Sequence, residues 1–187
     1  ILLRAPGFDI QSAYRLMPRY QHLSSYEEAV FGANSRTLIL SLSEREKKVF
    51  QEHYHTPDSR FSLLPPTLAL DRKPVRQRSG TRQRIRREFG IADDDLLLLF
   101  IGSGFKTKGL DRALQALASL ESDLQKRSRL VVIGQDHPGD YRNLSKQLGI
   151  GHKVHFLGDR PDIPELLAAG DLLLHPAYRE NTGTVLL

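Results

Sequence analysis

The sequence predicts an α/β fold built on parallel sheet. Three observations carry that expectation. Leu96–Ile101 is a run of six apolar residues, the pattern of a strand covered on both faces. Short apolar segments follow at Leu130–Gly134, Lys153–Leu157 and Asp171–His175. Helical patterns two to three turns long separate them, as in βαβ units.

The 187 residues are 40% hydrophobic and 26% charged, with no Cys. That balance belongs to a folded chain, not a disordered one. The missing Cys excludes a disulfide framework, a thiolate zinc site and a Cys nucleophile, and fits a reducing compartment. No apolar run approaches the ~20 residues that span a bilayer. The chain starts at Ile1 and ends inside the apolar run Val185–Leu187, so a piece of a longer protein is expected.

Each element has a local reason. Residues 1–33 read as irregular and helical, with Pro6, Gly7 and Pro18 interrupting any single long helix. Arg36–Leu42 reads as a buried strand. Ser43, followed by Glu46, forms a capping box for a helix to about Tyr54. Arg60–Leu64 is a short strand stopped by Pro65-Pro66. Residues 67–81 are Pro- and Arg-rich without period, a linker composition. Gln83–Phe89 is a short helix ended by Gly90. Leu110, Ala113, Leu114, Leu117 and Leu120 share one helical face. Tyr141–Leu148 is a helix with Gly149 as its C-terminal signal, and Ile163–Ala169 is another. The expected division is 1–66 as the end of one α/β unit, 67–81 as linker, and 82–187 as the first half of a second unit.

Formal net charge is +5. Between Arg72 and Arg87 lie eight basic residues and no acid, which leaves the rest of the chain slightly acidic. A nucleic-acid patch, an anionic membrane surface and a solvated helix face are the candidate readings. No aromatic is available there for base stacking, which argues against nucleic acid.

Open α/β sheets bind ligands beyond the carboxyl ends of their strands, so the loops there hold the candidate site. Gly102-Ser103-Gly104-Phe105-Lys106-Thr107-Lys108-Gly109 leaves a strand and enters a helix. Its glycines, amides and two ammonium groups suit a phosphate, although P-loop spacing is missing. A plain turn with two solvated lysines has the same residues. The segment from Pro176 to Thr184 holds Glu180 before small polar residues, which suits a polyhydroxy ligand or an ordinary helix cap. Arg160, in Gly158-Asp159-Arg160-Pro161-Asp162, suits a base or phosphate, or pairs with a neighbouring Asp. The His residues have no metal spacing. His175 ends a strand and either enters the site or bonds within the core.

Together these loops resemble those of retaining glycosyltransferases of family GT4, which have the GT-B fold. Ile133-Gly134-Gln135-Asp136, Asp171–Tyr178, Leu63-Leu64-Pro65-Pro66 and Tyr14-Arg15-Leu16 with Arg19, Tyr20 and His22 are similar to one subgroup, the lipopolysaccharide core glucosyltransferases I. The resemblance implies the end of an N-terminal Rossmann-like domain and the first half of a C-terminal one. It implies retaining transfer of glucose from UDP-glucose to an inner-core heptose, without metal or cofactor. Partners would be the UDP-sugar, the lipopolysaccharide inner-core acceptor and an anionic membrane, not nucleic acid. The location would be cytoplasmic, peripheral on the inner face of the bacterial inner membrane.

By the same resemblance, Lys108 contacts the donor phosphates, with Gly102, Ser103 and Lys106 in the same loop. Ser103 stands where many members carry an Arg, and Lys106 is the cation able to compensate. Arg160 lies where the family meets uracil. Glu180 is the first Glu of the E-x7-E motif, the catalytic-site carboxylate on the sugar. Asn181, Thr182 and Gly183 face sugar hydroxyls and diphosphate, and Thr184 and Val185 flank the nucleoside. Tyr14, Arg15, Arg19 and Tyr20 lie on the membrane and acceptor side. The alternatives are another GT4 enzyme with a different nucleotide sugar or acceptor, or a non-catalytic module for membrane or protein binding.

Overall fold

In a computed structural model, residues 17–67, 80–180 and 183 are described. The chain divides into two compact units, Ile1–Pro66 and Thr67–Leu187. The linker residues 68–79, including Arg72, Lys73, Arg76 and Arg78, lie outside the described residues.

The first unit contains α1 (Pro18–Phe31), β1 (Ile39–Ser41), α2 (Glu44–Tyr54), a 3-10 turn at Asp58–Arg60 and β2 (Phe61–Leu63). Pro18 starts α1 instead of interrupting it, because the first turn of a helix has no use for its missing N–H. Ser43 accepts from the Glu46 amide at 3.2 Å, the expected cap of α2. β1 and β2 pair in parallel from Ile39–Phe61 to Ser41–Leu63. The buried Arg60 guanidinium satisfies the carbonyls of Thr37 (2.9 Å), Gly32 (2.6 Å) and Val30 (2.5 Å), fastening the end of α1 to β2. Phe31 stacks on Phe50 with centroids 4.1 Å apart. Tyr54 donates to Glu27 at 2.6 Å. Burial, then that carboxylate, pushes the Tyr54 hydroxyl up to about 12.

The second unit runs α3 (Thr81–Glu88), β3 (Leu96–Ile101), α4 (Phe105–Lys108), α5 (Leu110–Ala118), α6 (Ser122–Arg127), β4 (Ser128–Ile133), α7 (Gly139–Gln147), a 3-10 turn (Gly151–Lys153), β5 (Val154–Gly158), α8 (Ile163–Ala169) and β6 (Leu172–Leu173). The four strands are parallel, in the order β5-β4-β3-β6. Alternation along the strands feeds two cores. Leu98, Phe100, Leu130 and Val132 pack with Leu110, Leu114 and Leu117 of α5 on one face. Leu97, Leu99, Val131 and Ile133 pack with Ile85 of α3 and with Leu166 and Ala169 of α8 on the other. Each fully buried aliphatic side chain contributes about 1.5–3 kcal/mol relative to exposure.

Three expectations need correction. The buried strand expected over Arg36–Leu42 pairs only at Ile39–Ser41 and buries alternate residues, leaving Leu38 and Leu40 exposed. The strand expected over Asp171–His175 pairs only at Leu172–Leu173, although the Asp171 and Leu174 amides still bond to the Leu97 and Leu99 carbonyls. Pro176 then has no N–H with which to continue the ladder. The described part of the basic run is a solvated face only in part: Arg84 and Arg87 are exposed, while the others turn inward. Arg86 is 1% exposed. It donates to Asp171 at 3.0 Å and to the carbonyls of Ala92 (2.6 Å) and Asp95. Arg82 donates to Asp171 at 2.5 Å and to the Ala169 carbonyl at 2.7 Å, and Arg84 pairs with Glu165. These acids are remote in sequence, so the run looked unpaired when read locally.

Burial raises the Asp171 carboxyl. The Leu97 amide and the Arg82 and Arg86 guanidinium groups outweigh it and hold the group below its ordinary value. A depressed carboxyl stabilises the fold above its unfolded pKa, and that stability is lost as pH falls through the lower folded one. Asp171→Ala is expected to cost about 3 kcal/mol, because it leaves the Arg86 charge buried and unpaired. The check is a lower urea midpoint at neutral pH, with the difference from wild type shrinking in acid.

Candidate functional site

The strand order creates the site. The chain leaves β3, builds β4 and β5 on one side, and returns to lay β6 on the other. The carboxyl ends of β3 and β6 therefore flank a topological switch point, where a crevice opens in such sheets. The loop after β3 carries Lys108, and the loop after β6 carries Glu180.

Lys108 ends the one-turn helix α4, and Gly109 breaks the chain before α5 with φ +75°. A Cβ at Gly109 would strike the Pro176 carbonyl oxygen, so only glycine lets the two loops approach this closely. Across that junction the Lys108 ammonium pairs with Glu180 Oε2. The same oxygen lies 2.8 Å from His175 Nε2, and Glu180 Oε1 accepts the Gly183 amide at 2.9 Å. The side chains of Lys108 and Glu180 are each about one-quarter exposed. A carboxylate held by an ammonium group and a backbone amide is a fixed acceptor beside a fixed cation. Such a pair can hold a hydroxyl and an anion in one orientation.

The glycine loop is tied down by Asp136, Ser103 and Gln135. The Asp136 carboxylate accepts the amides of Gly104 and, at 3.0 Å, Phe105. It thus occupies the start of α4, where a phosphate was the candidate. Ser103 Oγ accepts the Gln135 amide at 3.0 Å, and the Gln135 side-chain amide donates to Asp159 at 3.2 Å. Gly134 allows this zipper, since a Cβ there would lie 2.6 Å from the Gly102 carbonyl. Lys106 is exposed at the rim.

The structure brings together Lys108, Glu180, His175 and Gly183, which are 72 residues apart at the widest hydrogen bond. Arg160 does not join them. It makes a two-pronged pair with Asp162 at 2.8 and 2.7 Å and reaches Glu88 of α3 at 3.1 Å. The Asp162 bonds, working against burial, raise its already high pKa. This is the Arg–Asp turn pair that its own neighbourhood allowed. Arg19 is exposed and Tyr20 half-buried on α1. Tyr14, Arg15, Asn181, Thr182, Thr184 and Val185 lie outside the described residues. Among the described residues, no three His, Asp or Glu side chains are grouped to hold a metal ion, and no helix is long and apolar enough to cross a membrane.

Comparison with known proteins follows this geometry. Residues 81–187 match the model of the family described as glycosyl transferases group 1. The chain belongs to that family. It is 44% identical over 93% of its length to the lipopolysaccharide glucosyltransferase WaaG of Escherichia coli strain K12, of which it spans 46%. The crystal structure of WaaG, a glycosyltransferase involved in lipopolysaccharide biosynthesis, superposes with a TM-score of 0.86 at 43% identity, over 93% of this chain and 47% of that one. The D-inositol 3-phosphate glycosyltransferase of Corynebacterium aurimucosum is 28% identical over 81% of this chain and 38% of its own length. Anabaena HepE, solved with UDP and glucose, shares the fold at 19% identity and a TM-score of 0.71, over 95% of this chain and 47% of that one. The chain thus spans between 38% and 47% of the length of these relatives. Its parallel α/β architecture is of the GT-B type.

Gly109→Ala tests the junction. The substitution combines a left-handed backbone with a clash against Pro176, and is expected to cost about 1–3 kcal/mol. A urea midpoint unchanged from wild type would show that the two loops are not in contact through Gly109.

Proposed function

We propose that the full-length protein carrying this chain transfers glucose, with retention, from UDP-glucose to a heptose of the lipopolysaccharide inner core. It would act at the inner face of the bacterial inner membrane. The observation that carries this reading is the meeting of Lys108 and Glu180 at the switch point, on a chain 44% identical to WaaG.

The roles follow from charge. Lys108 offers its ammonium group to the diphosphate, and its attraction grows as negative charge develops on the departing UDP. Glu180 accepts from a glucose hydroxyl, which turns the anomeric carbon toward the acceptor. His175 adds a further bond to that carboxylate. The bond from the anomeric carbon to the UDP oxygen breaks, and the heptose hydroxyl bonds on the same face. The hydroxyl proton passes to the departing phosphate oxygen. No step calls for a resident cofactor or metal, because the ammonium group takes the leaving-group charge. Arg19 and Tyr20 of α1 serve the acceptor side in this reading, because a cation and an interfacial tyrosine suit anionic lipid.

Isothermal titration of the full-length protein with UDP tests the phosphate half of this reading. Lys108→Ala is expected to weaken UDP by tenfold or more. Glu180→Gln is expected to lower glucosyl transfer by about 100-fold while UDP still binds. UDP affinity unmoved by Lys108→Ala would overturn the assignment. Chelator should leave transfer unchanged, and UDP-glucose should outperform other UDP- and GDP-sugars.

A further inference from the structure

The loop that carries Glu180 is fastened to the turn that carries Lys108 by a clamp that uses neither side chain. Tyr178 is its centre. Its amide donates to the Thr107 carbonyl at 2.9 Å. Its hydroxyl donates to Asp111 Oδ2 at 2.7 Å. The Arg112 guanidinium carbon lies 3.5 Å from the centre of its ring, and the same guanidinium reaches the Pro176 carbonyl at 3.3 Å.

These contacts bracket the reacting pair. Thr107, Asp111 and Arg112 flank Lys108, while Pro176 and Tyr178 lie just before Glu180. Tyr178 is 55% exposed, so area burial is a poor reason for its presence. What it has instead are directional partners: an acceptor for its hydroxyl and a cation on its ring face. Asp111 Oδ1 is buried with no hydrogen-bond partner among the described residues. Loss of the Tyr178 hydroxyl would therefore leave that carboxylate without this donor. Glu180 sits six residues past Leu174, whose amide makes the final sheet bond before the loop. A loop of that reach needs a second anchor, because displacement of a catalytic group by about 1 Å costs on the order of 100-fold.

We propose that Tyr178, held by Asp111 and Arg112, is a positioning residue that sets the spacing between Lys108 and Glu180. The proposal rests on the site reading given above.

The test is a double-mutant cycle on the full-length enzyme, read as kcat/KM for UDP-glucose. Tyr178→Ala is expected to lose about 30–100-fold. In a Glu180→Gln background the same change should lose less than threefold, because the group being positioned is already disabled. Tyr178→Phe and Asp111→Ala remove one hydrogen bond from its two ends. Each should lose about tenfold, and together no more than either alone. These two variants keep the test valid if Tyr178→Ala does not fold. Multiplying losses in either cycle, or a fully active Tyr178→Ala, would overturn the clamp. If Glu180→Gln is costly and Tyr178→Ala adds its full loss to it, only the clamp fails. If Glu180→Gln is itself fully active, the site reading fails first and takes the clamp with it.

Discussion

One carboxylate ties β3, β6 and α3 of the second unit to one another. Asp171 accepts from the Leu97 amide at 2.7 Å and from two guanidinium groups, Arg82 and Arg86. It thereby binds the amino end of β6 to β3 and both strands to α3. Isolated in the interior, the Arg86 charge would cost several kcal/mol. Matched to Asp171 and to carbonyls of the Ala92–Asp95 turn, it pins the returning strand to one side of β3. That choice of side makes the switch point, and the switch point decides which two loops can face each other. Asp171, at the opposite end of the same strand, thus helps to set the arrangement in which Lys108 and Glu180 meet.

Much of the scaffold was legible in the sequence because it is local. The six-residue run at Leu96, the shared face of Leu110, Ala113, Leu114 and Leu117, and the Ser43 cap each announce their element through near neighbours. α8 spans Ile163–Ala169, as its pattern predicts. The missed features share the opposite property. Arg86 finds its acid 85 residues away, and Tyr178 finds Asp111 at a separation of 67. No period or spacing encodes such partners. The short helix α6 was missed because Ser122–Arg127 is polar and buries no residue.

The candidate site was legible as two loops and illegible as a constellation. Lys108 and Glu180 stand out as charges among glycines and small polar residues. Asp136 does not, since nothing in Ile133-Gly134-Gln135-Asp136 says that its carboxylate will cap α4. Its position changes the electrostatics of the rim. The amides of Gly104 and Phe105 are already satisfied by an anion, so positive charge for a ligand comes from side chains. The burden falls on Lys108, with Lys106 nearby, in a loop where Ser103 contributes a hydroxyl that is itself engaged with Gln135.

The chain order of the sheet has a consequence for biosynthesis. The first strand made in the second unit, β3, waits for the last described one before its far edge is covered, because the Leu97 amide bonds to a carboxylate 74 residues downstream. At about 5–20 residues per second of translation, that interval is roughly 4–15 s. For that time the most apolar stretch of the chain presents an open edge, and pairing of such high contact order is slow to form. The nascent chain is most exposed to aggregation in that window, and a holding chaperone would find its binding segment at Leu96–Ile101.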